Sequence, residues 1–223
     1  MNAQTERLTL SGLAGAIEAV RDAATLAEGA VAPRGVAIIA HPHPLFGGTM
    51  DNKVVQTLAR AFVQCGWTAV RFNFRGVGAT QGVYDEGQGE LQDLLAVVEQ
   101  VAPASEGQRI ALAGFSFGAF VTSHALATLW PQGRVDQAVL VGTAASRFTV
   151  APVPTDAHLR TLVVHGEQDD TVPLSSVMDW ARPQILPVTV IPAGGHFFHG
   201  QLPLLKNLVV RHLQSGACEP LPG

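Results

Sequence analysis

Short apolar runs alternate with longer amphipathic ones along almost the whole chain. That alternation limits the fold more than any other feature. GVAIIAH (35–41) is continuous, rich in Val and Ile, and bounded by Pro33 and Pro42. Such a run suits a strand buried on both faces. NKVVQTLARAFVQCG (52–66) places Val55, Leu58, Ala59 and Phe62 at helical spacing, with Gly66 as a stop. TAVRFNF (68–74) reads as a strand, GELQDLLAVVEQVA (89–102) as a helix ending before Pro103, and RIALAGF (109–115) as a strand. SFGAFVTSHALATLW (116–130) follows as a helix. VDQAVLVGTA (135–144), LRTLVVHG (159–166) and LPVTVIPA (186–193) supply three more strands, and LPLLKNLVVRHLQ (202–214) a closing amphipathic helix. The repeated strand–helix–strand order predicts an α/β domain: a doubly wound, mostly parallel sheet with helices on both faces. The beginning differs. ERLTLSG and GAIEAVRDA predict an N-terminal antiparallel hairpin on one sheet edge. Residues 1–223 read as one domain, with SGACEPLPG (215–223) as a frayed tail.

Composition narrows the partners. At 47% hydrophobic and 14% charged residues, the chain has enough apolar surface for a sizeable core. The net charge is −4 and no run of Lys or Arg occurs. This argues against nucleic acid and against an anionic membrane. The two cysteines, Cys65 and Cys218, are too few for a disulfide scaffold and suit a reducing compartment. MNAQTERLTL lacks a basic patch followed by an apolar core, and no apolar run reaches a membrane span. A cytoplasmic location is the expectation.

GFSFG (114–118) matches G-x-S-x-G, although with 23 glycines in the chain chance alone gives the pattern about once in a dozen such chains. Its setting carries more weight. Ser116 falls where a predicted strand stops and a helix starts, the context of a nucleophile elbow. The plainer reading makes Ser116 a helix N-cap. A nucleophilic serine needs a base, and the base an orienting acid. VVHGEQDDTVP (163–173) and PAGGHFFHG (192–200) both leave predicted strand C-termini, the edge where open parallel sheets place their sites. The order is Ser, Asp, His, as G-x-S-x-G hydrolases require. Phe117, directly after the serine, offers one backbone N–H to an oxyanion.

HPHPLFGGTMDN, FNFRGVGATQG, GFSFG, HGEQDDTVP and GGHFFHG occur in that order. With these motifs the chain resembles the α/β-hydrolase superfamily over nearly its whole length. It is similar to small, lidless bacterial serine hydrolases of the dienelactone hydrolase and short-chain carboxylesterase type. The resemblance implies Ser116, Asp169 and His196 as the catalytic residues. Asp170 and Glu167 compete with Asp169, and His199 with His196; His199 is otherwise a substrate contact or, the favoured reading, a hydrogen-bonded loop residue. The PLFG turn implies Leu45 as the second oxyanion donor, with Phe46 as runner-up.

Other motifs weigh less. His41 and His43 form an H-x-H pair, but the acidic and histidine ligands of a fuller metal site are absent. They read as loop histidines hydrogen-bonding near the site mouth. The glycines of FRGVGATQG lack dinucleotide spacing. Arg75 meets a substrate carboxylate or, the favoured reading, braces its loop through Asp85 or Glu86. His124, His158, His165 and His212 read as structural. No metal or cofactor is expected. ASRFTVAPVPTDAHL, between two late strands, is too short for a cap domain. Phe46, Phe117, Phe148, Phe197 and Phe198 are the candidates for an apolar groove, with Phe46 and Phe197 favoured as substrate contacts. The expected substrate is a small or short-acyl ester cleaved through an acyl-enzyme. Thioesters, lactones and amides are alternatives for the same residues, and a non-catalytic binding protein is the rival class.

Overall fold

A computed structural model describes residues 5–215. Ser215 closes the last helix, while the rest of the expected tail and Cys218 lie outside the described residues. The chain begins with the expected hairpin, β1 (Thr5–Gly12) and β2 (Gly15–Asp22), paired antiparallel from Thr5–Asp22 to Gly12–Gly15. There follow β3 (Val36–Ala40), α1 (Lys53–Gln64), β4 (Thr68–Phe72), α2 (Gln88–Val101), β5 (Ile110–Phe115) and α3 (Phe117–Leu129). β6 (Val135–Val141), β7 (Thr161–Gly166), α4 (Leu174–Ala181), β8 (Val188–Ile191) and α5 (Leu202–Ser215) complete it. The eight strands form one sheet in the order β1-β2-β4-β3-β5-β6-β7-β8. β2 meets β4 antiparallel; every pairing from β4 to β8 is parallel.

The continuous apolar runs have a physical reason. All five residues of β3 are buried because both sheet faces are covered. Ala37 and Ile39 face a core with Val55, Leu58 and Phe62 of α1 and Leu205, Val209 and Leu213 of α5. Ile38 and Ala40 face the opposite core, with α2, α3 and the buried Val177 and Ala181 of α4. The sheet is therefore doubly wound, as the alternation predicts.

The structure departs from the sequence reading in local detail. β4 stops at Phe72, two residues early. The Asn73 N–H still donates to the Glu18 carbonyl at 2.9 Å, but its side chain ties the loops: Oδ1 accepts the Met50 N–H at 2.9 Å and Nδ2 donates to the Glu18 carboxylate at 2.8 Å. β6 stops at Val141 because Gly142 takes a left-handed φ of 54°. The short helix α4 was not expected. It lies between Pro173 and Pro183 and buries only Val177 and Ala181, too little to show a period. Between β6 and β7 the only regular element among the described residues is a 3-10 turn at Thr155–Arg160, so the connection builds no cap domain.

Candidate active site

The turn from β5 to α3 is tightly packed. Ser116 has φ 57° and ψ −117°, a strained conformation for a residue with a side chain. Its N–H donates to the Val141 carbonyl at 2.8 Å, tying the turn to β6. A Cβ at Gly114 would strike the Gly118 carbonyl oxygen and approach Thr122 Oγ1 to 2.5 Å. A Cβ at Gly118 would lie 2.5 Å from the carbonyl oxygens of Ala40 and His41. Both glycines of the pentapeptide are thus required by close approach. Ser116 occupies the N-cap position of α3, yet its hydroxyl makes no capping bond. The plain N-cap reading fails, and Oγ is left for another partner.

That partner comes from the β8 loop. His196 Nε2 lies 3.0 Å from Ser116 Oγ, and Nδ1 lies 2.7 Å from Asp169 Oδ2. All three residues are buried. The close approach of Gly166 to the Gly194 carbonyl brings the two loops together. The Gln168 N–H donates to that carbonyl at 2.8 Å, and Glu167 accepts the Ala193 N–H at 2.8 Å. Glu167 is therefore a loop clamp. Asp170 is exposed and takes only the Thr171 hydroxyl, at 3.3 Å. Asp169 Oδ1 accepts the N–H groups of Val172 at 2.7 Å and Thr171 at 3.0 Å. Burial by itself raises the Asp169 pKa. The His196 and Val172 hydrogen bonds, with the neighbouring histidines, outweigh it and hold the carboxyl below its ordinary value. An ionised Asp169 takes Nδ1–H, which leaves Nε2 as acceptor for the serine hydroxyl. His165 packs beneath this loop, its Nε2 2.9 Å from the Val172 carbonyl and 3.4 Å from Asp169 Oδ2.

The two histidines after β3 behave differently. His41 is not at the site mouth as expected; it is fully buried. Its Nδ1 lies 2.6 Å from the Pro42 carbonyl and its Nε2 accepts the Phe74 N–H at 3.0 Å, so both ring nitrogens are taken. Burial lowers its pKa to about 4, against a weaker upward pull from the Pro42 carbonyl. Unfolding frees the ring to titrate near its ordinary value of 6.5. The unfolded chain then binds more protons between those two values, so stability falls as pH drops from 6.5 towards 4. Asp169, already below its ordinary range, contributes little change in that window. Over this drop the wild type is expected to lose roughly 3 kcal/mol more than His41→Gln. Urea unfolding at several pH values checks this, and equal slopes for the two proteins count against it.

His43 Nδ1 accepts the Leu45 N–H at 3.2 Å, and the His43 carbonyl accepts the Phe46 N–H at 3.2 Å. Both N–H groups proposed for the second oxyanion donor are therefore occupied, and Leu45 does not line the cavity that holds Ser116. The Leu45 N–H is thus engaged within its own turn. Among the residues lining the cavity, His43 and Phe117 have backbone N–H groups with no hydrogen-bond partner among the described residues, as do Gly47, Ala144, His196 and Phe197. His43 lies two residues beyond His41, on whose carbonyl the first turn of α3 packs.

The cavity at Ser116 and His196 has a volume of about 310 Å³. Phe46, Phe117, Phe148 and Phe197 line it. Phe198 does not: it is fully buried in the core beneath α5. His199 also stays outside, exposed, its ring 6.0 Å from that of Phe197. Arg75 is no free cation, for Asp93 holds it through two 2.8 Å bonds. Bracing is the right reading, but the main partner is Asp93; Asp85 lies at 3.9 Å. Arg147 lines the cavity and was not foreseen. A larger open cleft, about 440 Å³, lies beside α1. Its buried cation Arg71 is already paired with Asp22 and Asp51, and the cleft holds no nucleophile–base pair.

The sheet order and the buried serine–histidine–aspartate chain at its C-terminal edge define an α/β hydrolase of the lidless kind. Residues 32–155 match the family model described as serine aminopeptidase, S33, and the chain belongs to that family of serine hydrolases. It is 33% identical to a lidless α/β serine hydrolase from Xanthomonas campestris, over 99% of both chains, with a TM-score of 0.85. It is 39% identical to an α/β serine hydrolase homologue from Coxiella burnetii, over 93% of this chain and 97% of that one, with a TM-score of 0.78. A curated relative, the uncharacterized protein RP471 of Rickettsia prowazekii (strain Madrid E), is 42% identical over 87 residues. That stretch spans 39% of this chain and 37% of the relative.

Proposed function

We propose that this chain hydrolyses small or short-acyl carboxylic esters through an acyl-enzyme intermediate. The hydrogen-bonded chain from Ser116 Oγ through His196 to Asp169, at 3.0 and 2.7 Å, carries this reading. Ser116 Oγ attacks the ester carbonyl and passes its proton to His196 Nε2. The Phe117 N–H and, in place of Leu45, the His43 N–H hold the oxyanion. His196 then returns the proton to the leaving alkoxide, and water repeats the sequence to release the acid. Asp169 stays ionised and keeps the imidazole oriented. The scheme uses no metal or cofactor. Thioesters, lactones and amides present the same electrophilic carbonyl, and the aminopeptidase description of the family keeps the amide in view. A purely binding role has less support, because serine, base and acid are all present and connected.

A cavity of about 310 Å³ walled by phenylalanines is at the small end of ligand pockets and supports a short acyl group. In a 4-nitrophenyl ester series from acetate to dodecanoate, kcat/KM is expected to peak among the shortest acyl groups. It is expected to be at least about tenfold lower at dodecanoate. An optimum at dodecanoate overturns the size assignment.

A further inference from the structure

Arg147 shares its cavity with Ser116 and His196. Three buried or half-buried arginines are engaged, Arg71 with Asp22, Arg75 with Asp93 and Arg134 with Glu99, whereas exposed Arg147, like exposed Arg7 and Arg211 elsewhere, is not. Among the described residues the Arg147 guanidinium has no ion pair and no hydrogen bond, and no acidic side chain lines the cavity. The chain as a whole carries a net charge of −4, so this cation is not part of a general basic surface. Its backbone is fixed. The N–H groups of Arg147 and Phe148 both donate to the Ala144 carbonyl, at 3.2 and 3.1 Å, in the turn after β6. The Phe148 ring stacks on Phe120 at 4.7 Å and anchors that turn.

The neighbouring His43 adds a neutral donor. Its Nδ1 accepts the Leu45 N–H, which places the proton on Nε2. Burial first, and the Arg147 charge second, lower its pKa and keep it uncharged. An unpaired planar guanidinium on a residue that lines the cavity of the reacting serine matches a carboxylate, which it binds through two parallel N–H bonds.

We propose that the substrate is an anionic ester, a monoester of a short dicarboxylic acid, whose free carboxylate binds Arg147 while its ester carbonyl meets Ser116. This rests on the hydrolase reading above. The acyl group carrying the carboxylate passes to Ser116 Oγ as the alcohol leaves with the proton from His196. Water then releases the dicarboxylate.

Monomethyl glutarate and dimethyl glutarate separate the charge from the scissile bond. At low ionic strength the wild type is expected to favour the monoester in kcat/KM. Arg147→Gln is expected to lower the monoester-to-diester ratio about 10- to 100-fold. Arg147→Lys keeps part of the preference, because it keeps the charge and loses the fork. Added salt shrinks the preference of the wild type. A wild-type preference for the diester, or a ratio unchanged in Arg147→Gln, overturns the proposal. Calorimetric binding of both esters to Ser116→Ala reads the same preference without turnover. Fluorophosphonate labelling of Ser116 reports the hydrolase reading alone. Labelled protein with no anion preference sinks the Arg147 assignment only. Unlabelled protein that binds the monoester through Arg147 sinks the hydrolase reading only.

Discussion

Ser116→Ala is expected to lower kcat for the best ester by about 10⁶-fold. The substitution removes the hydroxyl that lies 3.0 Å from His196 Nε2 and can pass it a proton. Loss of one member of such a unit costs nearly as much as loss of all three, so no compensation from His196 or Asp169 is expected. The backbone donors proposed at Phe117 and His43 remain, and a residual rate above that of water is expected. The fold is expected to tolerate the change. The serine hydroxyl makes no capping bond, and alanine meets the same left-handed strain that Ser116 already bears. Thermal melting of the variant close to the wild type, with turnover at background, is the expected pair of results. Wild-type turnover in the variant places the nucleophile elsewhere.

Asp169→Asn is expected to lower kcat by about 10⁴-fold. The amide oxygen can still accept the Val172 and Thr171 N–H groups, now held at 2.7 and 3.0 Å, so the loop keeps its shape. What changes is the group 2.7 Å from His196 Nδ1. An amide N–H in that place donates to Nδ1 and drives the ring proton to Nε2. Nε2 then can no longer accept from Ser116. The emerging imidazolium also loses its counter-charge. Steady-state kinetics checks the loss, and unchanged near-ultraviolet circular dichroism excludes a collapsed loop as its cause. A fall of only a few-fold contradicts the role given to Asp169 and brings Asp170 back as the acid.

Much of this arrangement was legible in the sequence, for reasons that differ by residue. β3 and β5 were readable because burial on both faces forces unbroken apolar runs closed by prolines and glycines. The elbow was readable because a turn that packs Gly118 onto Ala40 and His41 admits no side chain there. Asp169 over Asp170 was legible only through the resemblance, since adjacent aspartates differ in direction and not in spacing. Which N–H groups of the HPHPLFGG loop stay unpaired was not legible. It turns on which N–H the His43 ring already occupies, a contact two residues long with no sequence signature. The depth of His41 and Phe198 was hidden likewise, for each lies one or two residues from exposed or half-exposed neighbours. Arg147 left a usable trace. It follows the C-terminal end of β6, the same sheet edge that supplied the acid and the base.

The central claim is that Ser116 is an activated nucleophile, and its most direct test is the mass of the protein after fluorophosphonate treatment. The account predicts a single adduct mapped to Ser116, absent from Ser116→Ala and slowed in Asp169→Asn. Folded wild-type protein that stays unlabelled, or carries its adduct on another residue, would contradict it.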